Sequence, residues 1–378
     1  MKEAVRLWTS FLCYTVSTSM SAPLIGLQAY RLGATSSEIG IVYGLAAMTT
    51  FLTRLPLASL QSRIGSRHLI RVGVITNSAS LLTYALSPTI HYMYLASCLR
   101  GVGFASFHPP ALSEAVRLSR DGRQLGWVMT SPPMGMTLGP ILSSSLLGLL
   151  SESLDQGQAY GVVFLVGASL SGIAFFAPSE GVDSGDGGEF DSARFYGLFS
   201  KEFMLLVFSR LMVSYVVGAV TAVLPVYLVE RRIMSEPEVP LLFAWASIFN
   251  VMGRPLSSFL RAPIRGLMAS SILIILMGLL ILRPSLFALY VGMSLYGLSL
   301  GLFIPSSLLM VQSINPNSSL TLRIALMTLA IDLGSGIGSS FTGILREYLE
   351  TEVALACSAI LCGILSLVMT QQIIRREY

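Results

Sequence analysis

Three side chains able to carry or exchange a charge interrupt long apolar stretches of this sequence. Asp332 lies well inside the stretch 320–345, and Arg100 and His108 lie inside the stretch 92–113. An ionisable side chain within a membrane span costs about 2.5–3.5 kcal/mol on insertion scales, so each one needs a reason to be there. These residues are therefore the first candidates for chemistry.

Asp332 is the acidic residue that lies deepest in any apolar stretch. Its carboxylate could bind and release a proton, or it could neutralise a cationic ligand. The alternative is a structural role, in which Asp332 forms a hydrogen bond to a neighbouring helix and never titrates. Gly334, Gly336 and Gly338 follow it, and small residues allow neighbouring backbones to approach closely.

Arg100 needs a carboxylate, an anionic ligand or carbonyl groups as its partner, so it either takes part in proton movement or ties two helices together. Arg210, in a later apolar stretch, presents the same choice. His108 lies eight residues after Arg100, about 80° further around a helix axis. Its imidazole could relay a proton near neutral pH, although a lone histidine before two prolines is more often a packing residue.

The composition indicates that these residues lie in a membrane. Hydrophobic residues make up 53% of the 378 residues, charged residues make up 12%, and the mean hydropathy is +0.72. A soluble domain carries about a quarter charged residues, so this chain has too little polar surface to cover itself. At about 20 residues per crossing, the apolar stretches predict about twelve spans. Their predicted bounds are 7–29, 38–60, 68–87, 92–113, 125–150, 158–177, 203–229, 240–260, 266–283, 286–311, 320–345 and 353–372.

The distribution of basic residues predicts the orientation. With both termini in the cytoplasm, and with residues at the ends of spans counted with the adjoining loops, the inside segments hold fifteen of the 24 lysines and arginines, the outside loops hold five, and the spans hold the remaining four. This bias follows the positive-inside rule. The net charge of +4 is therefore explained by topology and does not indicate nucleic-acid binding. We expect a multi-pass protein of the plasma membrane with cytoplasmic N and C termini.

A repeated pattern divides the chain into two similar halves. The segment that begins at Arg54 returns at Arg254, an offset of 200, and the segment that begins at Phe104 returns at Leu300, an offset of 196. Internal repeats in a mostly apolar chain are typical of transporters. The predicted regions are an N-terminal six-helix bundle at 1–177, a cytoplasmic linker at 178–200 and a C-terminal six-helix bundle at 201–378.

The linker is polar, acidic and rich in glycine, which favours a flexible tether; a regulatory contact is the alternative. The other loops are short and leave no room for an extramembrane catalytic domain. The sequence shows neither a phosphate-binding Walker motif nor clustered metal ligands. We therefore expect a protein that is not an enzyme and that has no cofactor and no metal.

Several local motifs resemble those of the major facilitator superfamily of secondary transporters. In the fifth span, Gly135-Met-Thr-Leu-Gly-Pro140 matches the signature associated with antiporters. In the fourth span, Arg100-Gly-Val-Gly-Phe-Ala105 is similar to a shortened form of another family motif. Between spans two and three, Ser62 replaces the acidic residue of the family's pattern. The positions of that pattern that this sequence keeps are Leu60, Arg63, Gly65 and Arg67.

The resemblance implies an all-α membrane protein in which twelve transmembrane helices form two pseudo-symmetric six-helix bundles around a central cavity. It implies that solutes move by alternating access, and that the span that holds Asp332 lines the cavity. The family's arginine that matches Arg100 is linked to proton transfer in antiporters.

Other residues are candidates for gating and for lining the cavity. Arg54 and Arg254 occupy equivalent places near the cytoplasmic ends of spans two and eight, where they could anchor an inner gate or extend to the membrane interface. We predict that glycine pairs allow close contacts between the halves, and that the prolines of the fifth span loosen that helix. The gate and inter-bundle candidates are Arg54, Arg63, Arg67, Arg254, Gly135, Gly139, Pro140, Gly334 and Gly338. Arg210, Tyr14 and Tyr227 are secondary cavity candidates, although aromatic residues there also suit an interfacial belt.

These observations together predict a monomeric secondary transporter that moves a small solute. We expect coupling to protons through Asp332, with Arg100 as the opposing charge across the cavity, and the antiporter signature favours export. The alternatives are uptake of a nutrient by proton symport and a non-transporting membrane sensor on the same scaffold. The expected partners are a small-molecule substrate, protons and the lipid bilayer, with no nucleic acid.

Overall fold

The computed structural model describes residues 2–119, 122–176, 200–260, 262–283, 285–314 and 320–377. Within these ranges the chain forms twelve α-helices, one 3₁₀ turn (η1) and no strand, so the predicted all-α fold is confirmed. The first helices are α1 Lys2–Arg31, α2 Ser36–Ala85, α3 Ile90–Leu118, α4 Gly122–Val128, α5 Ser131–Leu150, α6 Gln156–Ile173 and η1 Ala174–Phe176. The later helices are α7 Lys201–Glu230, α8 Glu238–Phe259, α9 Pro263–Ile281, α10 Leu286–Ser313, α11 Leu320–Tyr348 and α12 Thr351–Glu377.

The second and third predicted spans form one continuous element, α2, that is broken at Gly65. The backbone of Gly65 has φ 80° and ψ 156°, a conformation that glycine adopts without the steric penalty of a side chain. We call the part before this break α2a (36–64) and the part after it α2b (66–85). At its start, α2 is fixed by a capping box in which Thr35 and Glu38 bind each other's backbone amides.

The fifth predicted span is divided between α4 and α5. α4 ends at Val128, and α5 begins at Ser131 with Pro132 and Pro133 in its first turn. Proline is well tolerated there, because the first amide groups of a helix have no carbonyl partner within it. The prediction that these two prolines loosen the helix is therefore wrong, since they begin one; Pro140 alone lies inside α5.

Eight segments of the described chain are long and apolar enough to cross a membrane by length and composition alone. They lie in α2a, in α4 with α5, and in each helix from α7 to α12. In α1, which is not among them, Ser10, Ser17 and Ser21 lower the hydropathy although their side chains are buried. With α2 counted as two helices and α4 with α5 as one, the described chain has the twelve helices that the sequence predicts.

The chain divides into two compact units. Unit 1 comprises Met1–Gly187 and Leu228–Ala244, and unit 2 comprises Gly188–Tyr227 and Trp245–Tyr378. The last turn of α7 and the start of α8 therefore pack with unit 1. The predicted linker at 178–200 lies outside the described residues except for Ser200, and the predicted domain boundaries stay a prediction.

In unit 1, a buried polar triad joins three helices. The Asn77 side-chain amide of α2b donates to Ser17 Oγ of α1 at 3.3 Å and to Ser171 Oγ of α6 at 3.1 Å. All three residues are fully buried. Because lipid tails are as apolar as leucine, hydrogen bonds and close packing of this kind are what hold helices together in a membrane.

Unit 2 contains a comparable triad of hydroxyl groups. Ser366 Oγ of α12 lies 2.8 Å from Ser209 Oγ of α7 and 2.8 Å from Ser271 Oγ of α9. These serines are also fully buried. Each unit is thus held at its centre by polar groups from its first, third and sixth spans.

The internal repeat of the sequence is also a repeat of contacts. In unit 1, a Cβ atom on Gly101 would overlap the carbonyl oxygen of Ala46, so α3 lies directly on α2a. In unit 2, a Cβ atom on Gly297 would overlap the carbonyl oxygen of Ala246, so α10 lies directly on α8. The glycines are separated by 196 residues and the alanines by 200, which are the offsets of the sequence repeat in those spans.

Candidate functional site

Asp332 is a buried acidic residue of unit 2. It lies in α11 and is 5% exposed, and among the described residues it is the only acidic side chain that is buried. Two residues after Asp332, α11 packs tightly on α7, because a Cβ atom on Gly334 would overlap the carbonyl oxygen of Leu211. This contact brings the turn of α11 that carries Asp332 against the middle of α7.

Arg210 lies at the same level, one residue before Leu211 on α7. Its guanidinium carbon is 5.2 Å from the centre of the Phe303 ring on α10, which is a cation–π distance. Its side chain is half-buried. Unit 2 therefore carries an acidic side chain, Asp332, and a cationic side chain, Arg210, on two adjacent helices. The two residues lie at the same height along these helices, which we call one layer of unit 2.

Arg100 connects two helices of unit 1. From α3, its Nη1 donates to Ser21 Oγ at 2.9 Å and its Nη2 donates to the Thr18 carbonyl oxygen at 2.8 Å, and both acceptors belong to α1. Arg100 is half-buried, and a guanidinium group in an apolar helix is tolerated when its donors find acceptors. These contacts support the structural role among the two that the sequence leaves open, and the role in proton movement stays a prediction.

His108 and Tyr14 belong to a packed aromatic cluster in unit 1. The His108 ring centre lies 4.0 Å from that of Phe104 and 5.5 Å from that of Phe11. Tyr14 is fully buried and stacks on Phe107 with ring centres 3.7 Å apart. These contacts support the packing role for His108, and the cavity role of both residues stays a prediction.

Tyr227, the other tyrosine that the sequence singles out, joins two helices of unit 2. Its hydroxyl group donates to Glu352 Oε1 at 2.7 Å, so the end of α7 is bonded to the start of α12. Tyr227 is 1% exposed. A cavity role for this residue also stays a prediction.

The four arginines proposed for a gate differ in exposure. Arg54 on α2a is 8% exposed, which favours anchoring inside unit 1 over extension to the membrane interface. Arg254 at the equivalent place on α8 is half-buried, as is Arg67 on α2b, whereas Arg63 on α2a is exposed. Their part in a gate stays a prediction.

The glycines proposed for contacts between the halves make close contacts inside each unit. In unit 1, a Cβ atom on Gly139 would lie 2.7 Å from the Val16 carbonyl oxygen, and Gly135, one turn earlier and before Pro140 on α5, faces the same part of α1. In unit 2, a Cβ atom on Gly338 would overlap the Tyr215 carbonyl oxygen. The pairs Gly139–Gly338 and Val16–Tyr215 share an offset of 199. A role of these glycines between the halves stays a prediction.

Tyr43 makes contacts with α1 that the sequence did not predict. Its hydroxyl group donates to the Ala22 carbonyl oxygen at 2.6 Å and accepts from the Gly26 amide at 2.9 Å. In a regular helix these two backbone groups would form a hydrogen bond with each other. In α1 the phenol hydroxyl group is inserted between them, close to Pro23. In the sequence, Pro23 indicates that the backbone hydrogen bonding of α1 is weakened at this point. No sequence pattern indicates which side chain is inserted there.

Arg323, at the start of α11, was also missed. Its side chain is 2% exposed and its guanidinium donates to the carbonyl oxygens of Val311 and Ile314 at the end of α10. In the sequence it counts only as one more basic residue between two spans. The structure shows that its side chain, in the first turn of α11, binds backbone carbonyl groups at the end of α10.

The described residues contain no group of three or more His, Cys, Asp and Glu side chains that could hold a metal ion. Their isolated buried charges, serine triads and glycine contacts lie in long apolar helices that repeat in two units. These features define a polytopic α-helical membrane protein of the transporter type.

The chain belongs to the Major Facilitator Superfamily, whose family profile matches residues 7–282 and 205–372. The resemblance drawn from the motifs is therefore confirmed. The fold and the family are those of transporters, which are not enzymes.

Two relatives and one solved structure illustrate the similarity. The chain is 22% identical over 207 residues to an uncharacterised MFS-type transporter of Methanocaldococcus jannaschii, covering 54% of this chain and 52% of that protein. It is 26% identical over 129 residues to the multidrug resistance protein MdtH of Aeromonas hydrophila, covering 33% of this chain and 32% of that protein. The chain thus spans about half the length of the first relative and a third of the second. The structure of the nucleoside transporter NupG superposes with a TM-score of 0.78 at 15% identity, covering 100% of both chains.

Proposed function

We propose that this protein is a secondary transporter that moves a small solute across the plasma membrane by alternating access, coupled to proton movement. It works as a monomer with both termini in the cytoplasm. Family membership supports transport as the general activity. The burial of Asp332 is the observation that supports proton coupling.

The proposed coupling follows from the cost of a carboxylate in a membrane interior. An ionised aspartate there is unfavourable unless water or a cation is near it, so its protonation depends on whether its surroundings are open to water. Arg210, in the same layer of unit 2, supplies one cation. Arg100 is the candidate in unit 1, although its contacts with α1 also explain it without any role in coupling.

Export is the direction that we propose. The segment Gly135–Pro140 carries the antiporter signature, and one relative is named as a multidrug resistance protein. Uptake of a nutrient by proton symport and a sensor that binds without transport are the competing functions. In symport, the proton and the solute would move in the same direction instead of opposite directions. A sensor would bind the solute without any flux.

The test uses purified protein and the variant Asp332→Asn in liposomes. A ligand is first found by thermal stabilisation with a panel of nucleosides and drugs, because similar proteins include a nucleoside transporter and a multidrug resistance protein. We expect the variant to unfold at nearly the same temperature as the parent protein and to bind ligand. We expect its pH-gradient-driven flux to fall to the background of empty liposomes, because an asparagine side chain cannot exchange a proton.

Glu350→Gln is the matched control, since Glu350 is an exposed acid between α11 and α12. It removes one carboxylate from unit 2 beyond the end of α11, away from Asp332, and should leave the flux unchanged. Undiminished coupled flux in Asp332→Asn would remove Asp332 from the mechanism. Ligand binding by the parent protein without any flux would favour the sensor.

A further inference from the structure

An apolar groove lies on the outer side of unit 1, between α2b and the end of α6. It encloses about 380 Å³ and is lined almost wholly by apolar groups, including Val74, Ile75 and Leu82 of α2b and Phe175 of η1. Ile75 is 56% exposed and Leu82 is 42% exposed. An open apolar groove in a membrane protein has the shape and the surface to hold an acyl chain.

Two arginines precede this groove on α2b. Arg67 and Arg71 are one helical turn apart, and Ile75 is one turn further, so the three side chains share one helix face. The guanidinium carbon of Arg71 lies 5.2 Å from the centre of the Phe175 ring, which also lines the groove. A positive charge therefore stands at one end of the apolar surface.

These arginines are incompletely satisfied by the protein. The Nε atoms of both Arg67 and Arg71 are buried and have no hydrogen-bond partner within the part of the chain that the structure describes. A buried donor without an acceptor is costly, and both side chains are only half-buried, so an external acceptor toward which the guanidinium groups could turn would be stabilising. An anionic oxygen supplies such an acceptor, and guanidinium groups are well matched to phosphate.

We propose that this groove is a binding site for an anionic phospholipid, with the phosphate group at Arg67 and Arg71 and one acyl chain along Ile75 and Leu82. The topology proposed above places this end of α2b at the cytoplasmic surface, where anionic lipids and basic pockets between transmembrane helices meet. A free phosphate ion would use the arginines alone, and a zwitterionic lipid would use mainly the apolar surface. An anionic lipid uses both.

The first test compares lipids on the purified full-length protein in detergent. Dioleoyl phosphatidylglycerol, dioleoyl phosphatidylcholine and inorganic phosphate are added separately, and the unfolding temperature and the bound lipid (by native mass spectrometry) are measured. We expect phosphatidylglycerol to bind and to raise the unfolding temperature, and the other two to have little effect. Equal effects of both lipids, or an effect of phosphate equal to that of phosphatidylglycerol, would overturn the proposal.

The second test separates the two parts of the site. Arg71→Gln should abolish the preference for phosphatidylglycerol, whereas Arg265→Gln, which changes an exposed arginine at the start of α9, should keep it. Gly172 lines the groove, and a Cβ atom on it would meet no other atom within 4 Å, so the side chain of Gly172→Leu begins in open space.

We expect Gly172→Leu to lower lipid binding while the lipid-free protein unfolds at its usual temperature. This variant decides the question even if Arg71→Gln fails to fold. An unchanged preference for phosphatidylglycerol in Arg71→Gln, or unchanged lipid binding by Gly172→Leu, would contradict the site.

Discussion

Arg100 is the charged side chain of unit 1 whose contacts explain its place in an apolar helix. It binds two oxygen atoms of α1 through two separate nitrogens. We expect Arg100→Gln to lower the free energy of unfolding by about 1–3 kcal/mol, since interhelical and charge-assisted hydrogen bonds are each worth of this order. Thermal unfolding of the purified protein measures the change.

Arg117→Gln is the control for this substitution, because Arg117 is an exposed residue near the end of α3 that pairs with Glu114. It should change the stability very little, as surface ion pairs usually contribute less than about 1 kcal/mol. If Arg100→Gln kept full stability but lost transport, the structural account of Arg100 would be wrong.

Single residues also show where sequence reasoning ends. The burial of Asp332 was predictable, because an acid in a long apolar stretch has few places to lie other than a helix interface. The partners of Arg100 were not, since Thr18 and Ser21 are common hydroxyl residues far away in the chain. The insertion of Tyr43 into α1 was equally hidden, because it depends on how α2a packs on α1.

The contact between α7 and α11 is the element-scale feature on which the position of Asp332 depends. Gly338→Ala would place a methyl group against the Tyr215 carbonyl oxygen and force the helices apart. We expect a loss of stability of about 1–3 kcal/mol, the usual cost of overpacking a close contact. Thermal unfolding and ligand binding both report the effect.

The matched control is Gly148→Ala in α5, where an added Cβ atom meets nothing within 4 Å. It should be neutral or stabilise the protein by up to about 1 kcal/mol, because alanine favours a helix more than glycine does. Equal effects of the two substitutions would show that the backbone contact between α7 and α11 is not tight.

A second element-scale prediction concerns the segment Leu228–Ala244, which packs with unit 1. Glu236 in this segment accepts a hydrogen bond from the Tyr160 hydroxyl group of α6. Arg31 lies over the Tyr160 ring, 5.6 Å from its centre, and forms a 3.0 Å ion pair with Asp155. Tyr160 therefore connects the segment to the end of α1 and the start of α6.

Tyr160→Phe removes the hydroxyl group but keeps the ring. We expect amide hydrogen exchange in 228–244 to quicken by about ten- to a hundredfold, since a hydrogen bond to a charged group contributes about 1.5–3 kcal/mol. Tyr92→Phe, at an exposed position of α3, should leave the exchange rates as they are. Unchanged exchange in Tyr160→Phe would show that other contacts hold the segment.

At the scale of the whole molecule, the apolar stretches and the internal repeat were sufficient to predict the helices and their order. Two breaks between helices were not predicted from these patterns. Gly65 joins two spans without a loop, because its positive φ turns the chain within a single residue. Pro132 and Pro133 divide the fifth span, because a proline pair fits the start of a helix better than its middle.

The functional site could be predicted only in part, because its residues act through contacts between helices that lie far apart in the sequence. Periodicity places Asp332 and Arg210 in their own helices, but not in one layer of unit 2. The offsets of the repeat could have indicated the glycine contacts, since Gly101 and Gly297 are separated by 196 residues and their partners Ala46 and Ala246 by 200, the offsets of the repeat in their own spans.

The measurement that tests proton-coupled export most directly is the movement of protons that a ligand evokes in liposomes containing the parent protein. A pH-sensitive dye is trapped inside, and a ligand found by thermal stabilisation is added outside without any imposed pH gradient. The proposed antiport predicts that inward ligand movement drives protons outward, so the lumen becomes more alkaline, and that Asp332→Asn abolishes the signal. Ligand uptake with no change in the luminal pH would contradict the account, and acidification of the lumen would show symport instead.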